Sequence, residues 1–247
     1  MLIRSISLMG YTFAGLDGKM GKVEDFYFDD RHWVIRYLVA FTGEWISFRQ
    51  VLISPHAILA VDTAQQKIAV KLSRKQIEES PPLGSDKPVS RQFEEAYHSH
   101  FGWPGYWIGP HMWGEHAYPA RDGEKRQKVV QAKETWDPNL RSTRAVTGHS
   151  IQAVDGEIGH VDDFLIDDET WAIRYLIVNT GNWWPGKSVL VSTQWIERVS
   201  WPESKVFVDL SRETIKRSPK YTNDSLPTRS DEATLHQHYK RQGYWTG

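Results

Sequence analysis

The chain has 247 residues, a formal net charge of −1 and no cysteine. The absence of cysteine excludes disulfides, thiolate nucleophiles and cysteine metal sites, and the balanced charge provides no global field for nucleic acid or an anionic membrane. The N-terminal residues lack the apolar core and cleavage site of a signal peptide. No stretch approaches the roughly 18 uncharged apolar residues that a membrane span needs. The sequence therefore predicts a cytoplasmic protein with no membrane span.

One pattern occurs twice in the chain. Residues 18–39 (GKMGKVEDFYFDDRHWVIRYLV) are echoed by residues 156–178 (GEIGHVDDFLIDDETWAIRYLIV). The offset is 138 residues, as between Trp107 and Trp245, and it holds without a gap from Gly10 to the end of the chain. A fixed period of this length indicates a duplicated domain and not a short solenoid repeat.

Each copy begins with an apolar, glycine-bearing segment that ends at an Asp-Gly turn, Asp17-Gly18 in the first copy. The next strand breaks strict alternation, so a β-bulge near Glu24-Asp25 is needed to keep its later apolar residues on one face. Short runs rich in β-formers follow, separated by closely spaced turn residues. This arrangement predicts a small antiparallel β-barrel, with strands at residues 33–40, 51–54, 58–61 and 67–72.

A helical region follows each predicted barrel. Ser73 and Gln76 have the spacing of a capping box, and a second helix is expected from Ser90 to Phe101. Its counterpart in the second copy is expected to start near Ser230. Both helical tails end in the tripeptide Gly-Tyr-Trp. The predicted domains are a first barrel (1–80), its aromatic tail (81–113), a linker (114–143), a second barrel (144–218) and a second aromatic tail (219–247).

The residue patterns GKVED (21–25), WVIRYLV (33–39) and VLIS (51–54), with their echoes, resemble the PRC-barrel domain. The resemblance covers residues 18–61 and 156–199, and implies two tandem small β-barrels. The family includes the cytoplasmic part of the photosynthetic reaction-centre H subunit, a ribosome maturation factor and uncharacterised bacterial two-barrel proteins. Its pattern is hydrophobic and structural, so the resemblance specifies a fold and no activity.

Arg36 and its counterpart Arg174 are charged residues on an otherwise apolar strand face. An unpaired buried charge is costly, so each needs a carboxylate partner. A structural ion pair is the favoured interpretation, and an anion site is the alternative. The recurring candidate partners are Asp25 and Asp163, or else Asp29 and Asp167.

The candidate metal ligands fit structural roles better. The acidic runs around Asp25 and Asp163 lack the pattern of a calcium loop. His98 and His100, like their counterparts His236 and His238, point to nearly opposite sides of a helix. Glu94 with His98, and Glu232 with His236, do share a helix face, for which tail docking or surface pairing is favoured over a metal site. No recurring residue set suggests catalysis, so we expect no enzyme activity, metal or cofactor.

The tails are rich in aromatic residues, which either fold back onto the barrels or form a surface for a partner protein. The leading hypothesis is a non-catalytic scaffold or adaptor for an unidentified protein. By family resemblance, the alternatives are a soluble relative of the reaction-centre H subunit and a helper in RNA processing or ribosome assembly. Nucleic acid is disfavoured by the charge, and a homodimer formed by swapped tails is left open. The candidate partner-binding residues are Trp103, Tyr106, Trp107, Trp113, Tyr244 and Trp245.

Overall fold

The structure is a computed structural model that describes residues 1–46, 49–81, 89–120, 140–181, 187–222 and 225–246. The elements of the first half are β1 (Leu2–Arg4), α1 (Ser5–Leu8), β2 (Thr12–Gly15), β3 (Gly18–Asp29), β4 (Val34–Phe41), β5 (Gln50–Ile53), β6 (Ile58–Asp62), β7 (Lys67–Val70), α2 (Arg74–Glu78) and α3 (Arg91–Phe101). Those of the second half are β8 (Leu140–Ser142), α4 (Thr143–Val146), β9 (Ser150–Ala153), β10 (Gly156–Asp167), β11 (Ile173–Asn179), β12 (Ser188–Ser192), β13 (Ile196–Ser200), β14 (Lys205–Val208), α5 (Arg212–Arg217) and α6 (Arg229–His238). None of the described helices is long and apolar enough to cross a membrane.

The fold is mainly β and consists of two seven-stranded sheets with the same strand order. The first sheet runs β5-β4-β3-β2-β7-β6. The strand β3 is long, and β2 pairs with its first part while β8 pairs with its last three residues. The second runs β12-β11-β10-β9-β14-β13, and β1 pairs with β10. Pairing is antiparallel except between β2 and β7 and between β9 and β14, which are parallel.

The prediction of closed antiparallel barrels is wrong for the strands that the structure describes. In each sheet the two end strands, β5 with β6 and β12 with β13, are consecutive in sequence but not paired with each other. A 3₁₀ turn, Pro55–Ala57 or Thr193–Trp195, joins them, and a serine caps its start. This turn redirects the chain where a hairpin would have paired the two strands. Each sheet is therefore open in its hydrogen bonding.

The chain divides into two compact units, and each contains a leading strand from the other repeat. The first-repeat unit comprises Leu8–Arg144 and Asp168–Ala172, so it contains β8. The second-repeat unit comprises Met1–Ser7, Ala145–Asp167 and Ile173–Gly247, so it contains β1. In sequence, β1 and β8 occupy the same position of the 138-residue repeat. The two repeats have thus exchanged their first strands.

The predicted β-bulge is confirmed in both repeats. The register between β3 and β4 shifts between Val23 and Asp25, and the register between β10 and β11 shifts at the equivalent place. The shift allows Phe26 and Phe28 to be fully buried. Gly21, at the start of this strand, has φ 141°, and a Cβ there would lie 2.2 Å from the Phe41 carbonyl oxygen. Only glycine permits this close approach of the two strands.

The helix starts were also predictable. Ser73 and Gln76 form the expected capping box ahead of α2, and Ser90 caps α3, which ends at Phe101 as predicted. The second tail helix α6 begins one residue before the predicted Ser230, because Thr228 is its N-cap and closes a capping box with Asp231.

Candidate functional site

A buried polar network joins the first tail helix to its own sheet. Tyr37 of β4 donates its hydroxyl hydrogen toward Glu94 Oε1 and also faces His98 Nε2, each at 2.9 Å. Tyr106 donates to the same Glu94 oxygen at 2.6 Å, and Arg91 lies 3.1 Å from the other oxygen. Glu94 and His98 are fully buried on one face of α3. The tail helix is therefore docked by buried polar contacts.

The second repeat has the same network at the same offset. The Tyr175 hydroxyl contacts Glu232 Oε1 at 3.1 Å and His236 Nε2 at 3.0 Å. Tyr244 donates to Glu232 at 2.8 Å, and Arg229 lies 3.0 Å from its second oxygen. Tail docking, favoured from the sequence over a metal site for these Glu–His pairs, is thus what both tails show. Among the residues that the structure describes, no group of three or more His, Cys, Asp or Glu side chains could hold a metal ion.

Burial fixes the protonation of this network around neutral pH. It lowers the pKa of His98 to about 3, so the ring is neutral. The ring Nδ1 donates to the Pro104 carbonyl at 2.9 Å, which leaves Nε2 as an acceptor, so that Nε2 and Glu94 Oε1 share the one hydroxyl hydrogen of Tyr37. Burial, followed by the nearby Glu94 carboxylate, raises the pKa of Tyr37 well above its ordinary value. Both groups keep one protonation state near pH 7, which suits a structural anchor.

Arg36 and Arg174 each form an ion pair, but not with the predicted partners Asp25 and Asp163. Arg36 Nη2 lies 2.9 Å from Asp29 Oδ2, and Arg174 repeats the contact with Asp167 at 2.9 Å. Asp29 and Asp167 were the other candidates considered, and the pairing with Asp25 and Asp163 is wrong.

The reason for the correction lies in the register of the strands. Asp29 is paired with Val34 beside Arg36, whereas Asp25 lies at the bulge. Burial, the largest influence, raises the pKa of Asp29, but the charge of Arg36 and its hydrogen bond hold that pKa below its ordinary value. Asp29 therefore stays ionised and compensates the buried guanidinium.

Asp25 and Asp163 instead anchor the exchanged leading strands. In the first-repeat unit, Asp25 accepts hydrogen bonds from the hydroxyls of Ser142 and Thr143 and from the backbone N–H of Arg144. The Ser142 bond is 2.5 Å long. The Asp25 carboxylate thereby caps the start of α4 and fixes β8 against β3.

The second-repeat unit repeats this anchor with residues from the other end of the chain. Asp163 accepts from Arg4 Nε at 2.9 Å, from the Ser5 hydroxyl at 2.5 Å and from the backbone N–H of Ile6 at 3.2 Å. Both Asp163 and Ser5 are buried. The recurrence of this aspartate in the sequence therefore reflects an anchor for a strand from the other repeat.

Replacing Asp163 with alanine is expected to lower the free energy of unfolding of the second-repeat unit by about 3 kcal/mol. The change leaves buried donors without an acceptor, and a hydrogen bond to a charged group contributes about 1.5–3 kcal/mol. Urea denaturation measures the loss, and hydrogen exchange of residues 1–8 reports release of the strand. The matched control is Asp162→Ala at an exposed position next to the anchor, where a change below about 0.5 kcal/mol is expected. Equal effects of the two substitutions would contradict the anchor.

In the first-repeat unit the chain after Gly-Tyr-Trp covers Arg36, and we call residues 108–120 the covering segment. Arg36 Nη1 donates to the Met112 carbonyl at 2.5 Å. Its guanidinium carbon lies 3.9 Å from the centre of the Tyr106 ring and 4.9 Å from that of Trp113. Trp113 Nε1 donates to the Thr170 carbonyl at 2.8 Å. Only 1% of the Arg36 side chain is exposed as a result.

The covering segment also closes over His56, at the 3₁₀ turn after β5. The ring Nδ1 of His56 donates to the Ala120 carbonyl at 3.0 Å, and the residue is fully buried. Trp113 contacts the same ring edge to face at 5.0 Å between ring centres. The covering segment thus has three fixed points, namely two carbonyls and one tryptophan.

The structure separates the candidate partner-binding aromatics into two groups. Trp103, Tyr106 and Trp113 are buried in the first-repeat unit, where they line its interior. The remaining candidates are half-buried. The side chains that still present surface are Trp107, Tyr244 and Trp245.

Around Tyr244 these aromatics form a surface with two arginines. The guanidinium carbon of Arg174 lies 4.0 Å from the centre of the Tyr244 ring, and that of Arg229 lies 4.5 Å from the Trp245 ring. Of the Arg229 side chain, 57% is exposed. We call Arg174, Arg229, Tyr244 and Trp245 the aromatic–arginine face.

Residues 146–215 match the family model of the PRC-barrel domain. That range begins at the last residue of α4 and covers β9 to β14 and most of α5, and so the whole sheet of the second repeat apart from β1. No curated protein matches the chain. The predicted PRC resemblance is therefore confirmed for the second repeat.

Proposed function

We propose that the protein is a non-catalytic adaptor that binds a partner protein through the aromatic–arginine face of its second-repeat unit. The observation that carries this proposal is the stacking of two arginines on half-buried Tyr244 and Trp245. Tryptophan, tyrosine and arginine are the residue types enriched at the energetic centres of protein interfaces. In the first repeat Arg91 stacks on Trp107 in the same way. There, however, Tyr106 is buried and Arg91 is 17% exposed, against 57% for Arg229, so the second repeat presents more of this face.

The buried network below this face supports the proposal. Tyr244 is fixed through its hydroxyl to Glu232, and Arg229 is fixed through the other oxygen of the same carboxylate. Side chains held in this way lose little conformational entropy when a partner binds. The face is therefore preorganised for binding.

We further propose that the first repeat is a second PRC-like domain, because it has the same strand order and the same bulge as the matched repeat. The cytoplasm is our proposed location, since the composition contains no cysteine.

Crosslinking and affinity capture from native lysate test the adaptor function. A stoichiometric partner is expected, and Trp245→Ala is expected to reduce its capture at least tenfold, since a central tryptophan of an interface contributes 2 kcal/mol or more. The matched control is Trp107→Ala, the same position in the first repeat, which is expected to retain capture. Absence of any stoichiometric partner, or equal capture by both variants, would refute the adaptor function.

A further inference from the structure

The two repeats differ in what lies over their equivalent arginines. In the first-repeat unit the covering segment supplies a carbonyl to Arg36 and stacks Trp113 on it. Of the Arg174 side chain, 14% is exposed, against 1% of the Arg36 side chain.

A second pair of equivalent positions shows the same difference. His56 is fully buried, because its ring donates to the end of the covering segment at Ala120. Its counterpart in the second repeat is Gln194, which is exposed at the matching 3₁₀ turn. An amide side chain, like an imidazole, can donate a hydrogen bond to a peptide carbonyl. The second repeat therefore carries a donor at each of the two positions where the first repeat holds its own covering segment.

We propose that the aromatic–arginine face and Gln194 form a binding site for an extended peptide segment that carries an aromatic side chain. The bound peptide repeats in trans the contacts that residues 112–120 make in the first-repeat unit. One backbone carbonyl accepts from Arg174, the aromatic ring packs on the guanidinium, and a later carbonyl accepts from Gln194. This inference rests on the proposed adaptor function and specifies the chemistry of its partner.

The aromatic side chain is the main determinant in this proposal. In the first-repeat unit Trp113 is 1% exposed and contacts a cation, an imidazole and a carbonyl at the same time. A cation–π contact that is shielded from water contributes far more than an exposed one. A peptide without an aromatic ring would retain only the two carbonyl contacts, which water supplies equally well.

The test uses a fluorescently labelled synthetic peptide with the sequence of residues 108–120 (IGPHMWGEHAYPA) and the full chain. Fluorescence anisotropy is expected to show saturable binding with one peptide per chain. The same peptide with alanine in place of its tryptophan is expected to bind at least tenfold more weakly. Lack of saturable binding at millimolar concentration would overturn the inference.

Variants of the protein locate the bound peptide. Arg174→Gln is expected to weaken binding at least tenfold. Because Arg174 also pairs with Asp167, the exposed Gln194→Ala provides a second arm that leaves the ion pair intact, with an expected loss of threefold or more. The control is Arg198→Gln, which removes another stacked arginine of the same unit, 3.5 Å from the Phe207 ring. This variant is expected to retain binding of the peptide.

Undiminished binding to both Arg174→Gln and Gln194→Ala would place the peptide elsewhere, for example where it displaces the covering segment, and would overturn the inference. A dimer in light scattering that Arg174→Gln dissociates would also overturn it, because the occupant would then be a second copy of the chain.

Failure of the adaptor function can be distinguished from failure of this inference. Partner capture that depends on Trp245 without peptide binding refutes only this inference, whereas peptide binding without any captured partner refutes only the adaptor function.

Discussion

Acidification from pH 7 to pH 4 is expected to lower the free energy of unfolding of the first-repeat unit by about 3 kcal/mol through His56. Burial lowers the pKa of this ring to about 4, against about 6.5 in an unfolded chain. Between these two values the unfolded state binds a proton that the folded state rejects. The contribution of the neutral His56 ring to the free energy of unfolding is therefore fully present above pH 6.5 and decreases as the pH falls. Below pH 4, His56 causes no further loss.

The surroundings of His56 explain this expected acid sensitivity. Its Nδ1 already donates to Ala120, its Nε2 has no hydrogen-bond partner among the described residues, and the positive charges of Arg36 and Lys71 oppose protonation. His98 adds to the effect in the same direction, because burial lowers its pKa to about 3. The unfavourable protonation of His56 thus comes from its burial and from the nearby positive charges.

Urea denaturation at steps from pH 7 to pH 4 measures this effect. Hydrogen exchange of peptides from α3 and α6 assigns the loss to one unit. The matched variant is His56→Gln, which installs the residue found at the same position of the second repeat. It is expected to flatten the pH dependence by about 3 kcal/mol. An unchanged pH dependence in this variant would show that another group is responsible.

The features that were predictable from the sequence are those encoded by neighbouring residues. The bulge at Asp25 follows from a local break in alternation, and the N-cap Ser73 follows from its spacing of three residues to Gln76. The pairing of Glu94 with His98 on one helix face follows from the helical period. Each of these depends on interactions within a few residues, where backbone geometry leaves few alternatives.

The features that were not predictable depend on distant parts of the chain. β1 and β8 are three residues long and pair with a strand of the other repeat, so no periodic pattern marks them. The Ser142-Thr143 and Arg4-Ser5 donors that bind Asp25 and Asp163 offered only one weak signal, which is their equivalent position in the two repeats. The partner of Arg36 was uncertain for the same reason, since it depends on the register between two strands.

The aromatic positions show why burial was hard to predict. In the first repeat Trp103 of the tail packs against His98, with ring centres 5.9 Å apart. In the second repeat the position of Trp103 is occupied by Arg241, and Trp195 of the 3₁₀ turn packs against His236 at 5.1 Å. The same aromatic contact is therefore supplied by different elements. A tail tryptophan that was a candidate partner-binding residue, such as Trp103, can thus be a core residue.

Replacing Glu94 with alanine is expected to lower the free energy of unfolding of the first-repeat unit by about 3–5 kcal/mol, the cost of removing one partner from a buried ion pair. The change leaves the hydroxyls of Tyr37 and Tyr106 without their acceptor and Arg91 without its counterion. It also breaks the only carboxylate link among the described residues between α3 and β4. Loss of the tail should follow, and with it loss of the cover over Arg36.

The matched variant in the second repeat is Glu232→Ala, for which a smaller loss of about 2–3 kcal/mol is expected. Its partner Arg229 is 57% exposed, whereas Arg91 is 17% exposed, so water compensates more of the broken pair. Gln92→Ala, on the exposed face of α3, controls for the change in helix propensity and should alter stability by less than about 0.5 kcal/mol. Urea denaturation gives the three values, and hydrogen exchange of α3 shows whether the tail detaches. If Glu94→Ala costs no more than Gln92→Ala, the tail is held by its aromatic contacts and the buried network contributes nothing to docking.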